Sequence, residues 1–176
     1  MIILGIDPGT ASTGYGIIKT SHGCQGTKIS QIKGAFECLD YGLIRTSPDL
    51  STGNRLKKLN NELSKMIKKY QPEILAIESL YFFRNFKTAI PVSQACGVVF
   101  LTAAKNSIPV FSLTPLQVKM TIAGHGWAEK EKVQKIMKKI LGLKEIPKPD
   151  DAADALAVAL TYFLKNNLLT KSVEKI

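Results

Sequence analysis

The sequence predicts an α/β fold, a mixed five-stranded sheet with helices on both faces. Three observations lead there. Three strand-like runs follow one another near the N-terminus, joined by turn-forming residues. Strand–helix–strand units come next, and such crossovers add parallel strands to a sheet. The remainder reads as helices separated by glycine and proline. Apolar residues make up 45 % of the chain, enough to fill a core on each side of such a sheet.

Met1 to Asp7 is almost continuously apolar, as expected of a central strand buried on both faces. Pro8-Gly9-Thr10 and Ser12-Thr13-Gly14 punctuate a turn, and Gly14 to Lys19 reads as the returning strand of a hairpin. Residues 21–34, with Gly23, Gly26 and Gly34, read as an exposed loop or strand edge, and Phe36 to Arg45 as a third strand. After Ser47-Pro48, Leu56, Leu59, Leu63, Met66 and Ile67 recur at helical period, with lysines on the rest of the cylinder. Pro72 stops that helix, and Ile74–Ile77 is a short buried strand.

Residues 86–105 are mainly helical. Pro91 makes them either a helix with proline at its first position or a kinked one. Pro109 to Phe111 is a short strand, and Leu116–Ile122 a brief helix stopped by Gly124-His125-Gly126. Ala128–Leu141 is amphipathic, with Val133, Ile136, Met137 and Ile140 inward. Asp150 is placed to cap a last helix running to about Lys165, with Leu156, Leu160 and Phe163 as its apolar side. The expected organisation is one domain over residues 1–166 and a polar, frayed tail over 167–176.

The charge balance, 24 Lys and Arg against 14 Asp and Glu, gives a net charge of +10 and favours nucleic acid or an anionic surface as partner. No apolar run approaches the ~20 residues of a spanning helix, so no membrane role is expected. The start carries no basic leader or small-residue cleavage pattern. Cys24, Cys38 and Cys96 fit neither a disulfide framework nor a zinc spacing. A reducing, cytoplasmic setting is the expectation.

Four carboxylates stand out against this basic background. Asp7 and Glu78 each end an apolar strand, the position where α/β sheets open into a ligand crevice. Asp151 and Asp154 lie about 60° apart around one helix, so both can face one place. Each has an ordinary reading alone: Asp7 a turn residue, Glu78 a solvated strand end, Asp151 a first-turn dipole partner. Together, four carboxylates would repel one another unless a cation intervened. Hard divalent metal suits carboxylate and phosphate oxygens, and a pair of ions about 4 Å apart supports phosphodiester hydrolysis.

These residues carry a resemblance. Ile3-Leu4-Gly5-Ile6-Asp7-Pro8-Gly9-Thr10 with Thr13-Gly14-Tyr15-Gly16 resembles the opening of the RuvC family of Holliday-junction resolvases. Ala76-Ile77-Glu78, Ser93-Gln94-Ala95, Gln117-Val118-Lys119, Gly124 to Lys130 and Asp151 to Ala157 follow in family order. The resemblance implies a ribonuclease-H-like fold and a homodimer that nicks four-way junction DNA by Mg²⁺-dependent phosphodiester hydrolysis, as a crossover junction endodeoxyribonuclease. Two ions per subunit are expected, with Mn²⁺ able to substitute, and branch-migration proteins as partners.

By the same resemblance Asp7, Glu78, Asp151 and Asp154 form the metal-binding catalytic set. Tyr81 takes the place of an aromatic that stacks near the junction centre, and Lys119 and Lys130 match basic positions near the scissile phosphate. His125 is a loop residue within reach of phosphate or a structural turn residue. Lys130, Lys132, Lys135, Lys138 and Lys139 crowd one helix; such a run is usually a solvated face, and beside a carboxylate–metal site it also suits phosphate contacts.

The chain departs from the family at Cys96, where Arg is common, and at Pro91, inside a helix expected to help form the dimer. No histidine is placed to activate Cys96, which reads as a small buried hydrophobe. The competing readings are a catalytically silent junction-binding protein and a related ribonuclease-H-like nuclease acting on RNA. The Asp7–Gly14 element also resembles the phosphate loop of actin-like ATPases and sugar kinases, which would need a second similar domain.

Overall fold

The N-terminal apolar run forms β1 (Ile2–Asp7), the middle strand of a five-stranded sheet ordered β3-β2-β1-β4-β5. The computed structural model describes residues 1–9, 11–20, 34–79 and 86–173, the side chains of 86–88 and 167–173 excepted. β2 (Ser12–Thr20) returns antiparallel to β1, with Gly5 opposite Gly16 and Asp7 opposite Gly14. β3 (Phe36–Arg45) pairs antiparallel with β2, with a register shift at Ile17/Ile18. β4 (Ile74–Glu78) and β5 (Val110–Leu113) then add in parallel on the far side of β1. The ribbon-then-crossover order expected from the sequence is the one observed.

Alternation along the strands divides the core in two. Leu4, Ile6, Ile17, Leu75 and Ile77 point to one face, under α1 (Thr52–Tyr70) and α2 (Phe86–Lys105). Ile3, Ile18 and Ala76 point to the other, under α3 (Pro115–Ala123), α4 (Lys130–Ile140) and α5 (Asp150–Val173). β1 thus has fully buried side chains on both faces, which is why its sequence lacks polar alternation. Helices cover both faces, as expected. Among the described residues no helix is long and apolar enough to cross a membrane.

Local signals fix the helix ends. Ser51 caps α1, accepting from the Asn54 amide at 3.4 Å, and Gln71 ends the helix in the left-handed region at φ 49°. Thr114 and Gln117 form a reciprocal capping box at α3, with bonds of 3.1 and 2.9 Å, and Pro115 follows the cap. Gly124, at φ 83°, ends that helix.

Three expectations change. α2 begins at Phe86, five positions before Pro91, so Pro91 is not its first residue and sits inside it. Asp150 does not cap α5: the helix opens with bonds from the Ala152 and Ala153 amides to the Pro149 carbonyl. The Asp150 carboxylate instead accepts from Gln134 Nε2 at 2.9 Å, tying α4 to α5. Finally, the helical backbone of α5 continues past Lys165 to Val173. No proline or glycine stands between Asn166 and Val173 to stop it. α5 is also buried almost all round from Ala152 to Leu164, not along one apolar side.

Candidate active site

Parity along the strands brings the carboxylates to one side. Asp7 shares the face of Ile3 and Gly5 on β1, and Glu78 that of Ile74 and Ala76 on β4; both are α5-facing sets. Because Ile6 is in register with Ile77, the next residues, Asp7 and Glu78, stand side by side at the strand ends. Their side chains share a hydrogen bond, in which the Asp7 carboxyl donates to the Glu78 carboxylate.

Two glycines then let α5 down onto the sheet. A Cβ on Gly5 would lie 2.0 Å from the Ala155 carbonyl oxygen, and one on Gly14 would lie 2.1 Å from that of Asp151. With Ala152, Ala153, Ala155 and Ala159 buried on the helix, backbone packs almost directly on backbone. That close approach carries Asp151 and Asp154 to the strand ends. Ser12, on the same face of β2, donates to Asp151 Oδ2 at 2.9 Å. In the sequence Ser12 and Gly14 are turn punctuation; in the structure both serve α5, and Ser–x–Gly after the Asp7 turn is the signal for it.

The electrostatics follow from crowding acids in a half-buried place. Burial, the nearby Glu78, Asp154 and Asp151 charges and the shared hydrogen bond push the Asp7 carboxyl up to about 9. Burial also raises Glu78 and Asp154, partly offset at Glu78 by Asp7, Lys130 and Lys119 and at Asp154 by Lys130. In the metal-free protein Asp7 therefore holds a proton at neutral pH.

Two of the expected basic residues reach this cluster. Lys130, at the start of α4, pairs with Asp154 Oδ2 at 3.1 Å. Burial works against the ammonium, but Asp154, Asp7 and Asp150 outweigh it and hold Lys130 above its usual range. The lysine side chain is 61 % exposed, so the pair contributes only about 0–1 kcal/mol and is readily exchanged. Lys119 on α3 lies close enough for its charge to lower Glu78.

The other lysines of α4 separate. Lys132 Nζ lies 2.8 Å from His125 Nε2, Lys135 pairs with Glu131 at 3.5 Å, and Lys138 and Lys139 sit in the last turn, where the helix dipole favours them. His125 is thus engaged by Lys132 and is not brought to the carboxylates by any described contact. Tyr81, with Phe82 and Phe83, lies outside the described residues. Burial pushes the Cys96 thiol up to about 11, in keeping with an inert side chain.

The donor set suits a hard divalent cation. All four side chains offer oxygen, no softer ligand stands among them, and a lysine ammonium already answers part of their charge. Among the described residues no three His, Cys, Asp or Glu side chains stand in a ready-made ion cage. The fold gathers the acids, and a proton on Asp7 and Lys130 on Asp154 answer their repulsion at the places where a cation would compete.

The chain is similar to known proteins over nearly its whole length. The family model for crossover junction endodeoxyribonuclease RuvC matches residues 3–162. A crossover junction endodeoxyribonuclease RuvC from Fusobacterium nucleatum is 50 % identical over 162 residues, covering 92 % of this chain and 80 % of the relative. One from Caldicellulosiruptor saccharolyticus is 48 % identical and covers 95 % of each chain. Among solved structures, Thermus thermophilus RuvC in complex with Holliday junction substrate superposes with a TM-score of 0.85 at 34 % identity, over 97 % of each chain. A family match that runs from β1 into α5 takes in every element that carries a carboxylate of the site, and the chain belongs to the RuvC family of crossover junction endodeoxyribonucleases.

Proposed function

We propose that this chain is a structure-selective endonuclease that resolves Holliday junctions by paired, metal-dependent nicks, in recombination and DNA repair. The observation that carries the chemistry is the gathering of Asp7, Glu78, Asp151 and Asp154 from three elements, with Asp7 and Glu78 side by side on neighbouring strands and α5 packed backbone to backbone on the sheet beside them. The divalent metal is Mg²⁺, two ions per subunit, with Mn²⁺ able to replace it. Bound metal supplies a Lewis acid that activates water and stabilises charge on the scissile phosphate.

The chain's own residues do the rest. With metal bound, Asp7 would give its proton to solvent, so that Asp7 and Glu78 both present carboxylate oxygens, and Asp154 would release Lys130. Ser12 holds the Asp151 carboxylate in orientation through its 2.9 Å bond. Lys130, freed, places its ammonium on phosphate oxygen, and Lys119 does the same beside Glu78. Lys130→Ala should therefore slow single-turnover nicking by roughly 10²-fold, the usual consequence of losing one charge-stabilising group. A wild-type rate in that variant would remove Lys130 from the site.

Two like nicks call for two sites related by a two-fold axis, hence a homodimer. α2 supports one: Ala95 and Val99 pack into their own subunit, while Ile90, Gly97, Phe100 and Leu101 face outward. A Cβ on Gly97 meets nothing within 4 Å in the single chain. Gly97→Glu should give monomers by sedimentation that bind junctions weakly and lose paired cutting. Dimers with paired cutting intact would move the interface elsewhere. Branch-migration proteins deliver the junction, in a reducing cytoplasm.

The deciding test is a synthetic four-way junction incubated with the protein with and without Mg²⁺, followed by nick mapping. Symmetric nicks on strands of like polarity, only with metal, are expected. Absence of junction nicking with either Mg²⁺ or Mn²⁺ would refute the reading.

A further inference from the structure

The chain's single tryptophan stands where the hydrophobic effect gives no reason for it. Trp127 is 85 % exposed, the most exposed of the large apolar side chains described, while its neighbour Ala128 is buried at 1 %. It occupies the short segment between α3 and α4, three positions before the Lys130 that bonds Asp154. An indole left in water forgoes the burial that aromatic side chains in the core gain, so the position calls for a partner that covers it.

The surroundings specify that partner's chemistry. The His125 ring lies behind the indole, centroids 5.9 Å apart and planes tilted by 33°. His125 is in turn held by Lys132 at 2.8 Å. Leu116 and Met120, 54 % and 50 % exposed, border Gly126: a Cβ there would lie 2.3 Å from Leu116 Cδ1 and 3.9 Å from Met120 Sδ. Lys132 thus stands behind this small apolar surface with its aromatic plane, and the same stretch of chain carries Lys119 before it and Lys130 after it, with Glu129 between. Cations around a flat aromatic suit a ligand with flat faces and phosphates, which is the nucleic-acid strand. A protein partner would be expected to bring acidic side chains to the same cations, and would leave the indole dark to DNA.

We propose that Trp127 stacks on a nucleobase of the junction strand beside the scissile phosphate, and so positions that strand for Lys130 and the carboxylates. This deepens the resolvase reading and rests on it. Trp127 is a positioning residue: it touches the DNA strand and not the reacting phosphate. His125 and Lys132 set the angle of the indole.

The lone tryptophan makes the test direct. Wild-type protein without divalent metal is titrated with a four-way junction while indole fluorescence is read, and binding is followed independently by the anisotropy of a labelled junction. Stacking predicts quenching that saturates with binding. In the metal-free binding assay Trp127→Ala should weaken affinity by about tenfold, the size of one lost base–aromatic stack. Trp127→Phe should keep most of the affinity, whereas Trp127→Leu, apolar without a π face, should behave like alanine. With metal, Trp127→Ala should also blur the cut, spreading nicks over neighbouring phosphates.

Unchanged fluorescence on a demonstrably bound junction, or a Trp127→Ala protein that binds and cuts as wild type does, would overturn the proposal and leave the resolvase reading standing. Equal affinity for the leucine and phenylalanine variants would replace stacking by simple apolar contact and also overturn it. Wild-type protein that neither binds nor nicks the junction would sink both.

Discussion

Asp7→Asn should abolish nicking of a four-way junction and, in metal-free protein at pH 7, raise stability by up to about 4 kcal/mol. The two effects share one cause. The Asp7 carboxyl has an ordinary value of 3.8 when unfolded and is held up to about 9 in the folded protein. At pH 7 folding must therefore place a proton on a group that would otherwise be ionised. The cost runs over about 3 pH units at ~1.4 kcal/mol each. Asparagine resembles the protonated acid, keeps a donor for Glu78 and carries no such cost. It cannot hold a divalent cation as a carboxylate does, so nicking falls to background.

The sign of the pH dependence follows. A folded value raised above the unfolded one means that native protein binds more protons than unfolded protein in between. Stability of the metal-free protein should fall as pH rises from about 4 towards about 9, with Glu78 and Asp154 acting in the same direction. The Asp7→Asn advantage should be near zero at pH 4 and grow with pH. At roughly 2–4 °C per kcal/mol for a chain of this size, the difference is readily seen in thermal melts. Divalent metal competes with the same proton, so its apparent affinity should rise between pH 7 and 9 in the wild type. An Asp7→Asn protein no more stable than wild type at pH 7, or one that nicks normally, would remove Asp7 from the centre of the cluster.

How far the sequence carried the structure depends on where each cause lies. β1 was legible because a strand buried on both faces has no polar alternation, and the hairpin because glycine and serine cluster after Asp7. Asp7 and Glu78 were legible because both end such strands, and adjacency needed only that β1 and β4 be neighbours. The α3 helix was legible from its apolar run, but its capping box in Thr114-Pro115-Leu116-Gln117 was not read, and the helix starts at Pro115, one residue before Leu116. The beginning of α5 was misassigned by one residue because Asp150 is a common cap type, whereas the Pro149 carbonyl takes the first helical bonds. The lysine-rich α4 looked like one phosphate-binding face. Three of its five lysines take separate partners: Lys130 and Lys132 meet Asp154 and His125, brought by the tertiary fold, and Lys135 meets Glu131 one turn back on α4. Ser12 and Gly14 belong to the same class: their reason is α5, which is more than 130 positions away in the chain.

Gly14→Ala tests that tertiary cause and should slow nicking about as much as losing Lys130 does. The added Cβ would sit 2.1 Å from the Asp151 carbonyl oxygen and 3.0 Å from the Asp151 Cβ, against backbone that has no rotamer to change. Either the N-terminal turn of α5 lifts, or β2 retreats at Gly14 and takes Ser12 with it. Both motions shift Asp151 and Asp154 relative to Asp7 and Glu78. A misplacement on the order of 1 Å costs roughly 10²-fold in rate, and the overpacking itself about 1–3 kcal/mol of stability. Affinity for junction DNA should change far less, because it rests on lysines and phosphates and not on the spacing of the acids. Gly53→Ala is the matching control: it lies in the first turn of α1, where a Cβ meets nothing within 4 Å, and alanine there should be neutral or mildly stabilising. A folded Gly14→Ala protein that nicks junctions at the wild-type rate would mean that α5 can yield without moving its two aspartates, and that the glycine is not what sets their place.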